Sequence, residues 1–260
     1  MSDSNANTTS PTVWITGASS GLGEALAYHY AKHGAHVCLS ARSEEKLAAV
    51  NNALSTPGAV YPCDVTDNYQ LTTTVQGIID DTGGLDVAIL NAGTYQPVKL
   101  ADLNSDDARA LFEINFFSVV RAIELLTPHM VARGRGHIVA VASVAGDVGL
   151  PYAATYSASK SALNRLCESL QPELAVAGVN ISVVNPGFVK TPLTDKNDFP
   201  MPFLISADEA AEIIRTGIDK KKFEIRFPFV MGFLMRRLSR LPKSLLLKIT
   251  HRMLKDNDPA

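Results

Sequence analysis

Apolar runs of strand length alternate with longer helical patterns along this chain, and that alternation limits its possible folds more than any other feature. Val13–Thr16, His36–Ala41, Ala59–Cys63, Asp86–Leu90, His137–Ala142 and Asn180–Asn185 read as strands, with Phe223–Phe227 as a seventh. Helical patterns fill the gaps at Gly21–Lys32, Glu44–Leu54, Asn68–Asp81, Ser105–Ala132, Thr155–Ala177 and Ala207–Lys220. Strands that are apolar throughout need cover on both faces, which a parallel sheet with helices on each side provides. Right-handed crossovers then predict an α/β fold, a doubly wound parallel sheet with ligands at the carboxyl ends of its strands. No repeat or Pro/Ser-rich linker divides the chain. One domain is expected over residues 12–227, after a disordered lead (1–11) and before a basic, amphipathic C-terminal tail (228–260) that forms a helical appendage.

A length of 260 residues and 46% apolar composition suit one large core and argue against disorder. The charge is unevenly spread. Residues 1–219 carry 13 Lys/Arg against 23 Asp/Glu, whereas residues 220–255 carry 11 basic groups and Glu224 alone. Cys38, Cys63 and Cys167 are widely spaced, so they suggest buried free thiols in a reducing cytoplasm rather than a disulfide or metal framework. The first residues, MSDSNANTTSP, lack the basic start and apolar stretch of a signal peptide. No apolar run approaches the roughly 18 residues of a membrane span.

The first strand runs into Thr16-Gly17-Ala18-Ser19-Ser20-Gly21-Leu22-Gly23. Glycines let the backbone approach a ligand closely, and the helix that starts here points unpaired N–H groups and its positive dipole end at the same place. A pyrophosphate fits there, although the spacing G-x-x-x-G-x-G departs from the usual dinucleotide fingerprint. Strand two ends in Ser40-Ala41-Arg42-Ser43. An acid in this region would suit a free ribose 2′-hydroxyl, whereas Arg42 suits a 2′-phosphate, which favours NADP(H) over NAD(H). Farther on, in YAATYSASKSALN, Tyr156 and Lys160 stand one turn apart on a helix of small residues. Taken alone, that pair is equally an exposed side-chain contact.

Together these motifs resemble the short-chain dehydrogenase/reductase family, a Rossmann-fold family. The match runs from about Thr12 to Ser206. It takes in the TGxxxGxG turn, Asp64-Val65, Asn91-Ala92-Gly93, Asn115, Ser143 thirteen residues before Tyr156, the Tyr156-x-x-x-Lys160 pair and Pro186-Gly187. Leu90 departs from the pattern, since many members have a second Asn there. The resemblance implies that Tyr156 is the acid/base on the substrate oxygen. Lys160 would lie near its phenol and the nicotinamide ribose, its charge and that of the oxidised nicotinamide together lowering a phenol pKa of about 10 towards neutrality. Ser143 would hydrogen-bond the carbonyl or alkoxide oxygen, and Asn115 would hold a water in a relay to Lys160. Gly17, Ser19, Ser20, Gly21 and Leu22 would cradle the pyrophosphate. Asp64 and Val65 would flank the adenine, and Asn91, Ala92 and Gly93 the ribose. Pro186 and Gly187 would shape the nicotinamide pocket, with Val189 and Thr191 hydrogen-bonding the carboxamide. Residue by residue, plainer roles exist: Ser143 ending a strand, Asn115 a satisfied buried amide, Tyr156 filling a core gap.

The substrate loop is expected at 191–206, where Phe199, Met201, Phe203, Leu204 and Ile205 either form an apolar lid or pack onto the domain. In the tail, Phe229, Phe233, Leu234, Leu241, Leu245 and Ile249 recur near helical spacing among six Lys/Arg residues, and Pro242 should split it into two helices. That pattern suits peripheral membrane contact, an oligomer contact or a cap over the substrate mouth. Nucleic acid is not expected, because no recognised binding fold accompanies the charge. The resemblance further implies a homodimer, with a tetramer open, built on the helices at Ser105–Ala132 and Thr155–Ala177. The implied activity is an NADP(H)-dependent carbonyl reductase or alcohol dehydrogenase acting on a hydrophobic ketone or secondary alcohol. A catalytically silent NADP sensor or scaffold on the same fold is the alternative.

Overall fold

The computed structural model describes residues 10–196 and 200–254. Most of the expected lead and Phe199 of the expected lid lie outside them. Seven strands form one sheet in the order β3-β2-β1-β4-β5-β6-β7, every neighbouring pair parallel. They are β1 (Thr12–Thr16), β2 (His36–Ser40), β3 (Ala59–Val60), β4 (Val87–Leu90), β5 (Gly136–Val141), β6 (Val179–Pro186) and β7 (Glu224–Phe227). The helices between them are α1 (Gly21–Lys32), α2 (Glu44–Ala53), α3 (Asn68–Thr82), α4 (Ser105–Phe112), α5 (Ser118–Arg133), α6 (Ala154–Val176) and α7 (Ala207–Asp219).

Alternate strand residues feed two separate cores, as a two-residue period requires. Val13, Ile15, Leu39, Ile89, Val139 and Val184 pack against Leu26 of α1, Leu47 of α2 and Ile214 of α7. Trp14, Cys38, Ala88, Ile138, Ala140 and Val183 point the other way, onto Leu71 and Ile78 of α3, Leu126 of α5 and Leu163 of α6. All three cysteines are buried and free. Burial pushes the Cys38 and Cys167 thiols up to about 12, so they stay protonated and inert.

Two elements differ from expectation. Strand β3 covers only Ala59–Val60 although the expected strand continues to Cys63, and Pro62 falls at an outward-facing position of this edge strand, where its missing N–H costs no ladder bond. The chain still follows β2, with Tyr61 N donating to Leu39 O (2.8 Å) and Cys63 N to Ala41 O (3.0 Å). The single helix expected over Ser105–Ala132 is divided by a π-turn at Glu113–Phe117 that contains the buried Asn115. Such turns insert a residue into the helix and recur at functional sites.

The tail forms α8 (Phe229–Ser239) and α9 (Lys243–His251), divided at Pro242. Met235 of α8 and Leu246 of α9 bury themselves against Val144 and Val148, just beyond β5. The tail is thus fastened to the segment that follows Ser143. Among the described residues, no helix is long and apolar enough to cross a membrane.

Candidate active site

Strand order reverses between β1 and β4, and the crevice at their carboxyl ends is where a doubly wound sheet binds ligands. Gly17 leaves β1 with φ +67, and a Cβ there would stand 3.0 Å from Ala92 Cα. At Gly23 a Cβ would lie 2.2 Å from Gly17 O, so a larger residue would force α1 off the turn. The opposite wall is tied in by Asn91. Its Nδ2 donates to Thr16 O (3.0 Å), while Thr16 Oγ1 accepts from Asn91 N (2.9 Å) and Ala92 N (3.0 Å). Ser20, the residue before α1, makes no side-chain cap, so the first N–H groups of the helix remain available to an anion.

A cleft of about 670 Å³ opens over this turn. Gly17, Ser19, Ser20, Gly21 and Leu22 line its middle, and Arg42, Asp64 and Val65 line it where β2 and β3 end. Asn91, Ala92 and Gly93 contribute from β4, then Ser143, Tyr156 and Lys160. Pro186, Gly187, Val189 and Thr191 follow from the end of β6. Of the expected site residues, Asn115 alone does not line the cleft. It is fully buried, its Oδ1 accepting from Thr94 N (2.8 Å) and its Nδ2 donating to Thr94 O (3.0 Å) and Ser159 Oγ (3.2 Å). Ser159 Oγ in turn donates to Tyr156 O (2.8 Å). Both amide hydrogens are therefore committed to protein. The side chain clamps the end of β4, the π-turn and α6 together.

Lys160 sits one turn below Tyr156, only 5% exposed, with Nζ 5.8 Å from the phenol ring centroid and donating to Val141 O (2.8 Å). Ser143 Oγ accepts from Ala145 N (3.1 Å) and makes a long bond to Pro186 O (3.4 Å). Its hydroxyl also hydrogen-bonds the Tyr156 phenol, which pairs the two groups in the cleft.

A family model described as short chain dehydrogenase (adh_short) matches residues 11–200. The chain belongs to the short-chain dehydrogenases. An uncharacterized oxidoreductase of Myxococcus xanthus is 36% identical over 237 residues, 90% of this chain and 94% of the relative. The ketoacyl reductase HetN of a Nostoc species is 39% identical over 184 residues, 70% of this chain and 64% of HetN. Among solved structures, a short chain dehydrogenase of Burkholderia cenocepacia in complex with NADP has a TM-score of 0.79 at 25% identity, covering 92% of this chain and 97% of that one. One of Burkholderia phymatum in complex with NAD reaches 0.81 at 24% identity, with 96% and 98% covered. The protein is thus an oxidoreductase of the short-chain type, a chemistry that works with a nicotinamide cofactor.

In this dehydrogenase burial sets the electrostatics of the Tyr156–Lys160 pair. Burial dominates and pushes the phenol up to about 12, with a hydrogen bond from Ser143 opposing the rise and charge repulsion from the neighbouring Tyr95 phenol adding to it. Burial also lowers the Lys160 ammonium from 10.5 to about 8. The lysine does not by itself make the phenol acidic, because the low-dielectric surroundings penalise both charges. At neutral pH Tyr156 holds its proton and can give it away.

The lysine carries a stability cost with a definite sign. Between pH 8 and 10.5 the unfolded chain binds the Lys160 proton more tightly than the folded protein, so this site's contribution to stability rises with pH across that window. Near neutrality the buried ammonium costs on the order of 3 kcal/mol. Lys160→Met removes that cost but leaves Val141 O without this donor, which costs about 1–2 kcal/mol. The variant should therefore be more stable by about 1–2 kcal/mol, with a thermal midpoint a few degrees higher, and lose turnover. Calorimetric melting checks it, and a lower midpoint would contradict the assigned cost.

Several cleft residues have little sequence signature. Ser43 and Lys46 line the cleft beside Arg42, Ser43 capping α2 by accepting from Lys46 N (3.3 Å). Lys46 lies in the first turn of α2, four residues after Arg42, and that nearness along the chain was the available signal. Thr66, which ties down Asp64 through two hydrogen bonds, and Thr94 carried none.

Proposed function

We propose that this dehydrogenase is an NADP(H)-dependent carbonyl reductase or alcohol dehydrogenase for a hydrophobic ketone or secondary alcohol. The observation that carries the reading is the convergence of a protonated Tyr156, the Ser143 hydroxyl and the buried Lys160 at one end of the cleft. The phosphate turn and Arg42 line other parts of the same cleft. The residues fit a dinucleotide: uncapped helix N–H groups for the pyrophosphate, and Arg42 with Lys46, with Ala41 in place of an acid, for a 2′-phosphate. The bound cofactor supplies or accepts the hydride at its nicotinamide ring.

The chain's own residues handle the oxygen. Ser143 donates a hydrogen bond to the substrate carbonyl and places it by the phenol. As negative charge develops on that oxygen, Tyr156 gives it a proton, and the product is the alcohol. Lys160 sits beneath the ring, where its charge stabilises the phenolate left behind. A phenol held near 12 favours reduction at neutral pH, whereas oxidation needs the phenolate and should climb as pH rises. A silent sensor has no use for a lysine buried at such cost. The reading also includes a cytoplasmic homodimer joined through α4, α5 and α6, where Phe117 and Val176 lie exposed. We infer that α8 and α9 lie at the inner face of a membrane, from the basic and apolar side chains exposed on them.

A panel of hydrophobic carbonyl compounds followed by NADPH absorbance tests the activity, and a panel without turnover would contradict it. Arg42→Ala should weaken NADPH about 10- to 100-fold, as loss of a charge-assisted hydrogen bond does, with little change for NADH. Equal losses for both, measured by calorimetric titration, would remove Arg42 from the 2′-phosphate site.

A further inference from the structure

We propose that the outer faces of α8 and α9 form a rigid docking surface for an anionic membrane, set beside the mouth of the cleft. Eight of the sixteen exposed large apolar side chains among the described residues lie between Phe229 and Leu254, with Phe229 82% and Leu247 65% exposed. In a soluble protein so dense a cluster marks a contact surface. Phe229 and Phe233 share a strip of α8 with Arg236 and Arg240, and Val230 and Leu234 share the adjoining strip with Arg237. The apolar groups occupy the first half of that face and the cations the second. Arg237 lies over the Phe233 ring, 4.9 Å from its centroid. On α9, Leu245 and Leu247 stand exposed beside Lys248 and Arg252.

Charge identifies the occupant. Residues 225–255 contain no Asp or Glu, while residues 1–219 carry ten more acidic than basic groups. An anionic surface therefore attracts this face and repels the rest of the molecule, which fixes its orientation. Long arginine and lysine stems lie along apolar surface with their heads in the headgroup layer, so apolar and basic residues on one face suit a bilayer interface. The platform is also held firmly. Met235 and Leu246 are buried against Val144 and Val148, and a Cβ at Gly232 would meet Arg226 Cγ at 2.5 Å.

The face adjoins the chemistry. Val144 follows Ser143 directly, and a Cβ on Gly187 would meet Pro228 Cδ at 3.0 Å and Met231 Cγ at 3.2 Å, both at the start of α8. Docking brings the cleft mouth to the bilayer, so the substrate class is a ketone or alcohol dissolved in lipid. That consequence rests on the oxidoreductase reading; the docking itself does not.

The test sediments the full chain with vesicles of phosphatidylcholine alone and of phosphatidylcholine mixed with phosphatidylglycerol. Binding is expected to the second only, falling as salt is added. Neutralising Arg237, Arg240 and Lys248 together, each to Gln, should weaken it on the order of a hundredfold. Phe229→Ser with Phe233→Ser should weaken it too. The charge variant should reduce a water-soluble ketone as the parent does. Absence of that turnover in both proteins would count against the oxidoreductase reading while vesicle binding stands. No sedimentation with phosphatidylglycerol, or equal sedimentation with both vesicles, overturns the docking. So does self-association without lipid that the Phe229→Ser/Phe233→Ser variant abolishes, since a second copy would then cover the face.

Discussion

Tyr156→Phe is expected to lower turnover about a thousandfold, within the range that general acid catalysis supplies, while dinucleotide affinity stays nearly unchanged. The substitution deletes the hydroxyl and little else. The ring keeps its edge contact with Tyr95, with centroids 4.9 Å apart, and the Tyr156 carbonyl still accepts from Ser159. Lys160 keeps its bond to Val141 O. The loss should therefore fall on kcat, with KM little altered, because the missing proton is needed only as charge develops on the substrate oxygen. Steady-state kinetics beside calorimetric titration with NADPH separate the two. A variant that retains kcat within about tenfold would assign the proton transfer to another group.

Arg226→Met should destabilise the fold by about 3–5 kcal/mol, the usual cost of removing one partner from a buried ion pair. Arg226 Nη1 meets Asp147 Oδ2 at 2.5 Å and its Nη2 donates to Asp147 Oδ1 (3.1 Å), while Nε donates to Glu224 Oε1 (2.8 Å). Its side chain is 13% exposed, that of Asp147 12% and that of Glu224 21%, so the methionine variant strands two poorly hydrated carboxylates. Arg236 also pairs with Glu224 and compensates in part. Asp147 lies four residues past Ser143, at the end of the turn Val144–Gly146, so the same pair fixes edge strand β7 to the segment carrying that hydroxyl. Arg226→Lys keeps the charge but not the two-pronged geometry and should fall between parent and methionine variant. Urea midpoints measure the series. A methionine variant as stable as the parent would show that the pair is not held dry.

The fold could be read from the sequence because its signal is repeated. Six of the seven strands run for four residues or more, and all but β7 are mostly apolar, while caps such as Asp67, which accepts from Tyr69 N and Gln70 N, lie beside the helices they start. The cleft was legible because its residues sit where strands end, in short motifs that require small side chains. What could not be read depends on backbone detail or on distance along the chain. The π-turn adds one residue within Phe112–Phe117, where phenylalanines on both sides keep the apolar pattern unbroken, so Asn115 was the only mark of it. Its clamp on Thr94 joins residues 21 positions apart. The pair of Arg226 with Asp147 spans 79 positions and has no local pattern at all. The burial that raises the Tyr156 phenol and lowers the Lys160 ammonium is a property of the folded site, and the spacing of the two residues carries no trace of it.

The most direct test of the central claim follows the hydride itself. The protein is given NADPH deuterated at the transferring position of the nicotinamide, together with a panel of hydrophobic ketones, and the alcohols are analysed by mass spectrometry. The account predicts deuterium on the carbinol carbon with the parent protein and at least a hundredfold less alcohol with Tyr156→Phe. Alcohol formed without the label, equal labelled product from both proteins, or no reduction of any ketone would contradict it.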